Sequence, residues 1–142
     1  MIDGEVVTVD PYVGRAIGAG GSAITTASDM THWLTTLLAG GAADGQQVVQ
    51  PETLRTMFDP VIASEVSFTE TPPISPTAGF SYGLGWGNFH WRGYEILEKG
   101  GALPGVRTVV NLVPELELGI AAMANLNLTF LPEAIRAFVL EQ

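Results

Sequence analysis

A short run in the C-terminal half of the chain carries the residue types most suited to chemistry. Lys99 is the sole lysine among 142 residues, and Gly100 and Gly101 follow it directly. An ammonium group favours a nearby anionic nucleophile or base and attracts a substrate carboxylate. Two glycines leave room for an extended substrate to lie against a strand. Taken alone, however, this run fits a surface lysine beside a turn better than it fits a site.

Other residues with catalytic potential form weaker patterns. Ser81 and His90 could join an acid in a triad, but no Gly-x-Ser-x-Gly elbow supports that arrangement. His32 and His90 are too far apart in the sequence to suggest a metal site, and the chain has no cysteine. The glycines at 18–21 do not satisfy the Gly-x-Gly-x-x-Gly phosphate-loop pattern. We therefore expect neither a metal nor a cofactor.

The composition describes a folded and acidic chain. Apolar residues make up 46 %, charged residues 15 %, and the net charge is −9. The six basic residues are dispersed, which argues against binding to nucleic acid or to an anionic membrane. So low a charged fraction suggests a surface that other protein covers. No apolar run is long enough to span a bilayer, and residues 1–5 lack signal-peptide features, although a piece of a longer chain would lack them too.

Two helices are predicted in the N-terminal part. Thr26 is a suitable N-cap, Asp29 completes a capping box, and Gly40 and Gly41 end the helix. Its predicted apolar stripe consists of Met30, Trp33, Leu34, Leu37 and Leu38. Pro51 begins a second helix that reaches Phe58, with Leu54 and Phe58 facing inward. His32 is expected to be partly exposed, and the glycines at 18–21 are expected to form a loop.

Strands dominate the remainder. Three or four antiparallel strands are predicted, at 82–86, 94–98, 106–113 and 116–124. A terminal helix from Leu131 should place Ile135, Phe138 and Val139 on the sheet. The predicted fold class is α+β within a single domain, 1–142. Its parts are helices at 18–60, an irregular loop at 61–79, and strands with a terminal helix at 80–142.

Three stretches in order give a resemblance to a known family. They are Gly20-Gly21-Ser22-Ala23-Ile24-Thr25-Thr26-Ala27-Ser28-Asp29-Met30, Tyr82-Gly83-Leu84-Gly85-Trp86, and Lys99-Gly100-Gly101-Ala102-Leu103-Pro104-Gly105. Together they resemble the penicillin-recognising serine hydrolases, which include class C β-lactamases, penicillin-binding-protein-like enzymes and esterases. The resemblance covers roughly 18–142. It implies an antiparallel sheet with helices, a partial β-lactamase/transpeptidase-like fold that lacks its N-terminal half.

The resemblance also implies what each motif does. Lys99 begins the family's Lys/His-x-Gly element, and the backbone N–H of Ala102 would be one oxyanion-hole donor. Gly100, Gly101, Tyr82 and Trp86 would contact substrate. Lysine rather than histidine at position 99 leans toward β-lactamase or peptidase-like members.

Two elements of the family's site are absent from the sequence. No serine has a lysine three residues on, so Ser-x-x-Lys is missing, and no tyrosine begins Tyr-x-Asn. In the family both elements precede the Gly-Gly loop.

The resemblance therefore predicts the C-terminal segment of an acyl-enzyme hydrolase, inactive alone. Its substrate would be a lactam, a peptide or an ester. The expected partner is the missing N-terminal half, and an open sheet edge would also permit homodimers or strand exchange. Two alternatives remain: a non-catalytic ligand- or protein-binding module that retains the half-fold, and an unrelated α+β domain.

Overall fold

The structure, a computed structural model, describes residues 5–10, 18–64 and 78–142. The helices and strands, in chain order, are α1 (Gly18–Gly21), α2 (Ala27–Leu38), β1 (Ala42–Ala43), β2 (Gln46–Gln47), α3 (Pro51–Phe58), β3 (Ile62–Ser64), β4 (Ala78–Tyr82), β5 (Gly87–Trp91), β6 (Tyr94–Leu103), β7 (Val106–Val113), β8 (Leu118–Ala124) and α4 (Leu131–Leu140). Much of the predicted loop at 61–79 lies outside the described residues.

Helix α2 begins where the sequence places its cap. The Thr26 hydroxyl accepts a hydrogen bond from the Asp29 N–H at 3.1 Å, and the Thr26 N–H donates to the Asp29 carboxylate at 3.2 Å. This reciprocal pair is the predicted capping box. Leu34 and Leu37 are buried, whereas Trp33 is 40 % exposed, so the apolar stripe is narrower than predicted. His32 is exposed.

Helix α3 has the predicted bounds, because Pro51 fits the first turn, where no N–H partner is needed. Its Leu54 is buried. The glycine-rich stretch before α2 differs from the prediction. Gly18–Gly21 forms a single exposed helical turn rather than a loop.

A six-stranded antiparallel sheet forms the centre of the molecule, with strand order β3-β4-β5-β6-β7-β8. The prediction of three or four strands was too low, because β3 and β4 flank a stretch whose prolines indicate irregular structure. A short hairpin of β1 and β2 stands apart from this sheet. Among the described residues, β8 has a strand partner on one side only.

Each face of the sheet carries its own apolar core. Helices α2 and α3 pack on one face through Leu34, Leu37 and Leu54, against Leu97 and Leu112. Helix α4 packs on the other face. The buried members of that second core are Phe80, Phe89, Trp91, Ile96, Val113, Ile120, Ala137 and Leu140.

Helix α4 is turned differently from the prediction. Ile135 and Phe138 are 44 % and 68 % exposed, and the residues facing the sheet include Glu133 and Arg136. Apolar periodicity favours the first set. The second set is inward because the strands below carry Glu98 and Arg107, which pair with these charges.

Candidate functional site

Strand β6 is supported on both sides over only part of its length. Its pairing with β5 ends at the Gly87–Glu98 row, whereas its pairing with β7 continues to Leu103 and Val106. Within the described part of the chain, Lys99–Leu103 therefore has strand pairing on one side alone. We call this stretch the bare edge of β6. An unpaired strand edge can accept an extended ligand by main-chain hydrogen bonding.

Lys99 stands at the start of the bare edge. Its Nζ donates a hydrogen bond to Tyr82 Oη at 3.2 Å and lies 5.9 Å from the centroid of the Tyr82 ring. The Lys99 side chain is exposed and the Tyr82 side chain is half-buried. The structure thus brings together two residues from two of the sequence motifs.

The motif that contains Tyr82 forms a turn and not the predicted strand. Strand β4 ends at Tyr82, and the Gly83 N–H bonds to the Trp86 carbonyl at 2.8 Å. A Cβ at position 83 would lie 2.7 Å from the carbonyl oxygens of Met57 and Asp59, so only glycine fits against the end of α3. This close approach fixes the turn to α3 and thereby places Tyr82.

Trp86 lies in the core beside α3. It is 7 % exposed, and its ring meets that of Phe58 edge-on with centroids 5.3 Å apart. It is not among the residues that line the groove described next. Substrate contact by Trp86 stays a prediction, and its evident contribution is to packing.

A groove of about 530 Å³ runs beside the bare edge. It is lined by Ile62, Phe80, Tyr82, Gly87, Glu98, Lys99, Gly100, Gly101, Ala102 and Arg107. Five predicted site residues therefore lie together: Tyr82, Lys99, Gly100, Gly101 and Ala102. A Cβ on Gly100 would meet no atom closer than 4.0 Å, so the backbone there is open to a ligand.

Charged residues form a polar layer between α4 and the sheet, which the sequence did not predict. Glu98 accepts hydrogen bonds from Arg136 of α4 and from Asn111 Nδ2, the latter at 2.9 Å. Arg107 Nε donates to Glu133 of α4 at 2.6 Å. The charged pair Glu133 and Arg136, spaced i, i+3 with Ala137 and Leu140 nearby, was the only signal that this face is inward.

The other candidate residues do not assemble a site among the described residues. The Ser81 hydroxyl donates to the Asn88 carbonyl at 3.3 Å, and His90 is exposed on β5. No group of three or more His, Cys, Asp or Glu side chains with metal-binding geometry occurs in the described ranges. No helix within these ranges is long and apolar enough to cross a bilayer.

Comparison with known proteins decides the family. The family model described as Beta-lactamase matches residues 2–141, nearly the whole chain. The chain belongs to the β-lactamase family. The predicted α+β architecture, a partial β-lactamase-like fold, is thereby confirmed, and an unrelated α+β domain is excluded.

One similar curated protein is a hydrolase. This chain is 28 % identical over 113 residues to the unguisins hydrolase ungD of Aspergillus violaceofuscus (strain CBS 115571). The match covers 77 % of this chain and 20 % of that protein, so this β-lactamase-family chain spans about a fifth of the relative. No solved structure matches significantly. The chain is a segment related to hydrolases.

Proposed function

We propose that this chain supplies one wall of the active site of a serine hydrolase that acts through an acyl-enzyme. The observation that carries the proposal is the position of Lys99, at the start of the bare edge and 3.2 Å from Tyr82 Oη. A groove of suitable size lies beside it. Family membership and the hydrolase relative support the reaction class.

Four residues of the bare edge, at 99–102, have a chemical task in this proposal. The substrate, a lactam, peptide or ester, lies along the bare edge as an added strand, with Gly100 and Gly101 leaving it room. The Lys99 ammonium favours the anionic form of the attacking serine or of its base. The Ala102 N–H donates to the oxyanion that forms when the serine oxygen bonds to the substrate carbonyl carbon.

The serine itself must come from another part of the protein. None of the 142 residues belongs to a Ser-x-x-Lys or Tyr-x-Asn element, so the chain alone should form no acyl-enzyme. The proposed partner is the N-terminal half of the same hydrolase.

Two features of the surface support a partner. Among the described strands β8 is the last of the sheet, and α4 exposes Leu131, Ile135 and Phe138 in one stripe. An unpaired strand edge and an exposed apolar stripe are each typical of a surface that further protein covers. We propose that the N-terminal half covers it.

Covalent labelling tests the proposal. The chain is incubated with a serine-reactive fluorophosphonate and, separately, with a β-lactam, and its intact mass is measured. We expect no adduct on the chain alone. Adding a polypeptide that carries the Ser-x-x-Lys and Tyr-x-Asn elements should then produce one adduct on that polypeptide. Its Ser→Ala variant is the control and should not be labelled.

Two results would contradict the proposal. Stoichiometric labelling of a serine in this chain would mean that it carries its own nucleophile. Failure of the added half to label in its presence, together with binding of a ligand to the chain alone, would favour the non-catalytic binding module.

A further inference from the structure

The layer between α4 and the sheet holds buried charges where apolar residues would ordinarily pack. Arg136 is 1 % exposed and Glu133 is 5 % exposed. Arg136 pairs with Glu98 of β6, and Glu133 pairs with Arg107 of β7. We call these two contacts the α4 ion pairs. The proposed mechanism uses none of the four charges directly.

The two contacts fall at the two ends of the bare edge. Glu98 is the last β6 residue with a partner on β5, where it faces Gly87. Arg107 faces Ala102 across the β6–β7 ladder. One turn of α4 thus forms an ion pair with β6 in the row before Lys99 and a second ion pair with β7 in the row of Ala102. Between these rows β6 has no second supporting strand among the described residues.

Stability alone is a poor explanation for this arrangement. A buried ion pair often contributes no more than apolar side chains of the same volume. Here Arg136 Nε, Arg136 Nη2 and Glu133 Oε2 have no hydrogen-bond partner among the described residues, which adds a desolvation cost. Directional hydrogen bonds do, however, fix the position of one element against another, and they do so more strictly than apolar packing does.

We infer that Arg136 and Glu133 are positioning residues that hold the bare edge of β6 in place for substrate. They act through Glu98 and Arg107, so that Lys99 and the Ala102 N–H keep a constant separation. This inference rests on the proposed function for its purpose. Its structural content, a bare edge held by α4, is independent of that function.

Amide hydrogen exchange on the isolated chain tests the structural content. In the paired variant Glu98→Gln with Arg136→Met, no unpaired charge is left buried, so the chain should fold with a denaturation midpoint near that of the wild type. We expect amide exchange in the rows joining Lys99–Leu103 to β7 to rise about tenfold, because local opening becomes easier. Exchange in the β7–β8 rows should stay unchanged. Glu133→Gln, which retains the side-chain oxygen, is a second and milder variant for the Ala102 end.

The control is Glu141→Gln. It removes the exposed ion pair between Arg92 and Glu141, which lies at the C-terminal end of α4 and away from the bare edge. This variant should leave the exchange of Lys99–Leu103 unchanged. Equal exchange at the bare edge in the paired variant and the wild type would overturn the inference. So would a uniform rise over the whole sheet, which would mean that the pair only stabilises the fold.

A kinetic measurement on the reassembled hydrolase tests the purpose. Misplacing an oxyanion donor weakens binding of the transition state, so kcat should fall about tenfold or more in the paired variant while KM changes little. An unchanged kcat would overturn the positioning role. If the wild-type assembly has no activity, the proposed function fails, and the exchange experiment still decides whether α4 holds the bare edge.

Discussion

The contact between Lys99 and Tyr82 joins two residues from different motifs that lie 17 positions apart in the chain. Lys99 is the first residue of β6 that has no partner on β5. The turn after Tyr82 is fixed against α3 by the close approach at Gly83. The phenol oxygen therefore limits where the flexible lysine side chain can place its ammonium. A long side chain held by a hydrogen bond loses less entropy when a substrate arrives.

This contact can be observed directly because Lys99 is the only lysine. After reductive methylation with ¹³C-formaldehyde, the side chain gives one lysine resonance, separate from that of the terminal amine. Tyr82→Phe removes the hydroxyl that accepts from Nζ, so we expect this resonance to shift and to sharpen as the side chain becomes more mobile. Tyr94→Phe is the matched control and should change nothing. An unchanged lysine resonance in Tyr82→Phe would show that the two groups are not in contact in solution.

Among the secondary-structure elements, α2 has the clearest link between sequence and stability. The Thr26 hydroxyl and, with a smaller effect, the Thr26 backbone N–H donate hydrogen bonds to the Asp29 carboxylate. These bonds hold the pKa of the Asp29 carboxyl below its usual value. A lowered folded-state pKa stabilises the fold above the unfolded-state pKa, about 4 for aspartate, and that contribution is lost as the pH falls through the folded-state pKa.

Substitution at the cap should show this dependence on pH. We expect Thr26→Ala to lower the free energy of unfolding at pH 7 by about 1 kcal/mol, the usual value of an N-cap. The loss should shrink as the pH falls from 7 through the lowered pKa of Asp29 in the folded chain, because below it the carboxyl is protonated in both variants. Urea unfolding across this range measures it. Thr31→Ala, on the same helix, is the control, and a difference from wild type that is constant with pH for Thr26→Ala would refute the role of Asp29.

The elements that sequence predicts well are those with local signals. Thr26, Asp29 and Pro51 set the starts of α2 and α3, and an uninterrupted β-rich run sets Val106–Val113. The orientation of α4 was predicted wrongly because its inward charges are paired with Glu98 and Arg107, far away in the sequence. Periodicity cannot reveal such partners. The same limit applies to the groove, since the bare edge depends on where β5 begins opposite β6.

At the scale of the whole molecule, the most apolar part of the described surface that concerns the proposed partner is a stripe on α4. The side of α4 away from the sheet exposes Leu131, Ile135 and Phe138, and Phe130 before it is 62 % exposed. Few charges lie among them, which agrees with the low charged fraction of the sequence. Apolar side chains clustered in this way are costly to leave in water and are typical of an interface.

Association with the N-terminal half should therefore depend on this stripe. Phe138→Asp places a charge where the partner would bury an aromatic ring, so we expect the affinity of the two halves to fall at least tenfold while the chain keeps its own stability, because Phe138 is 68 % exposed. The control, Val48→Asp, alters a residue of similar exposure, 61 %, directly after strand β2, and this variant should bind normally. Titration calorimetry measures the affinity of both variants for the N-terminal half.

Sedimentation of the chain alone tests the alternative that the stripe on α4 mediates self-association. A wild-type dimer that Phe138→Asp makes monomeric, with unchanged affinity for the N-terminal half, would assign the stripe to self-association and leave the β8 edge as the place where the halves meet.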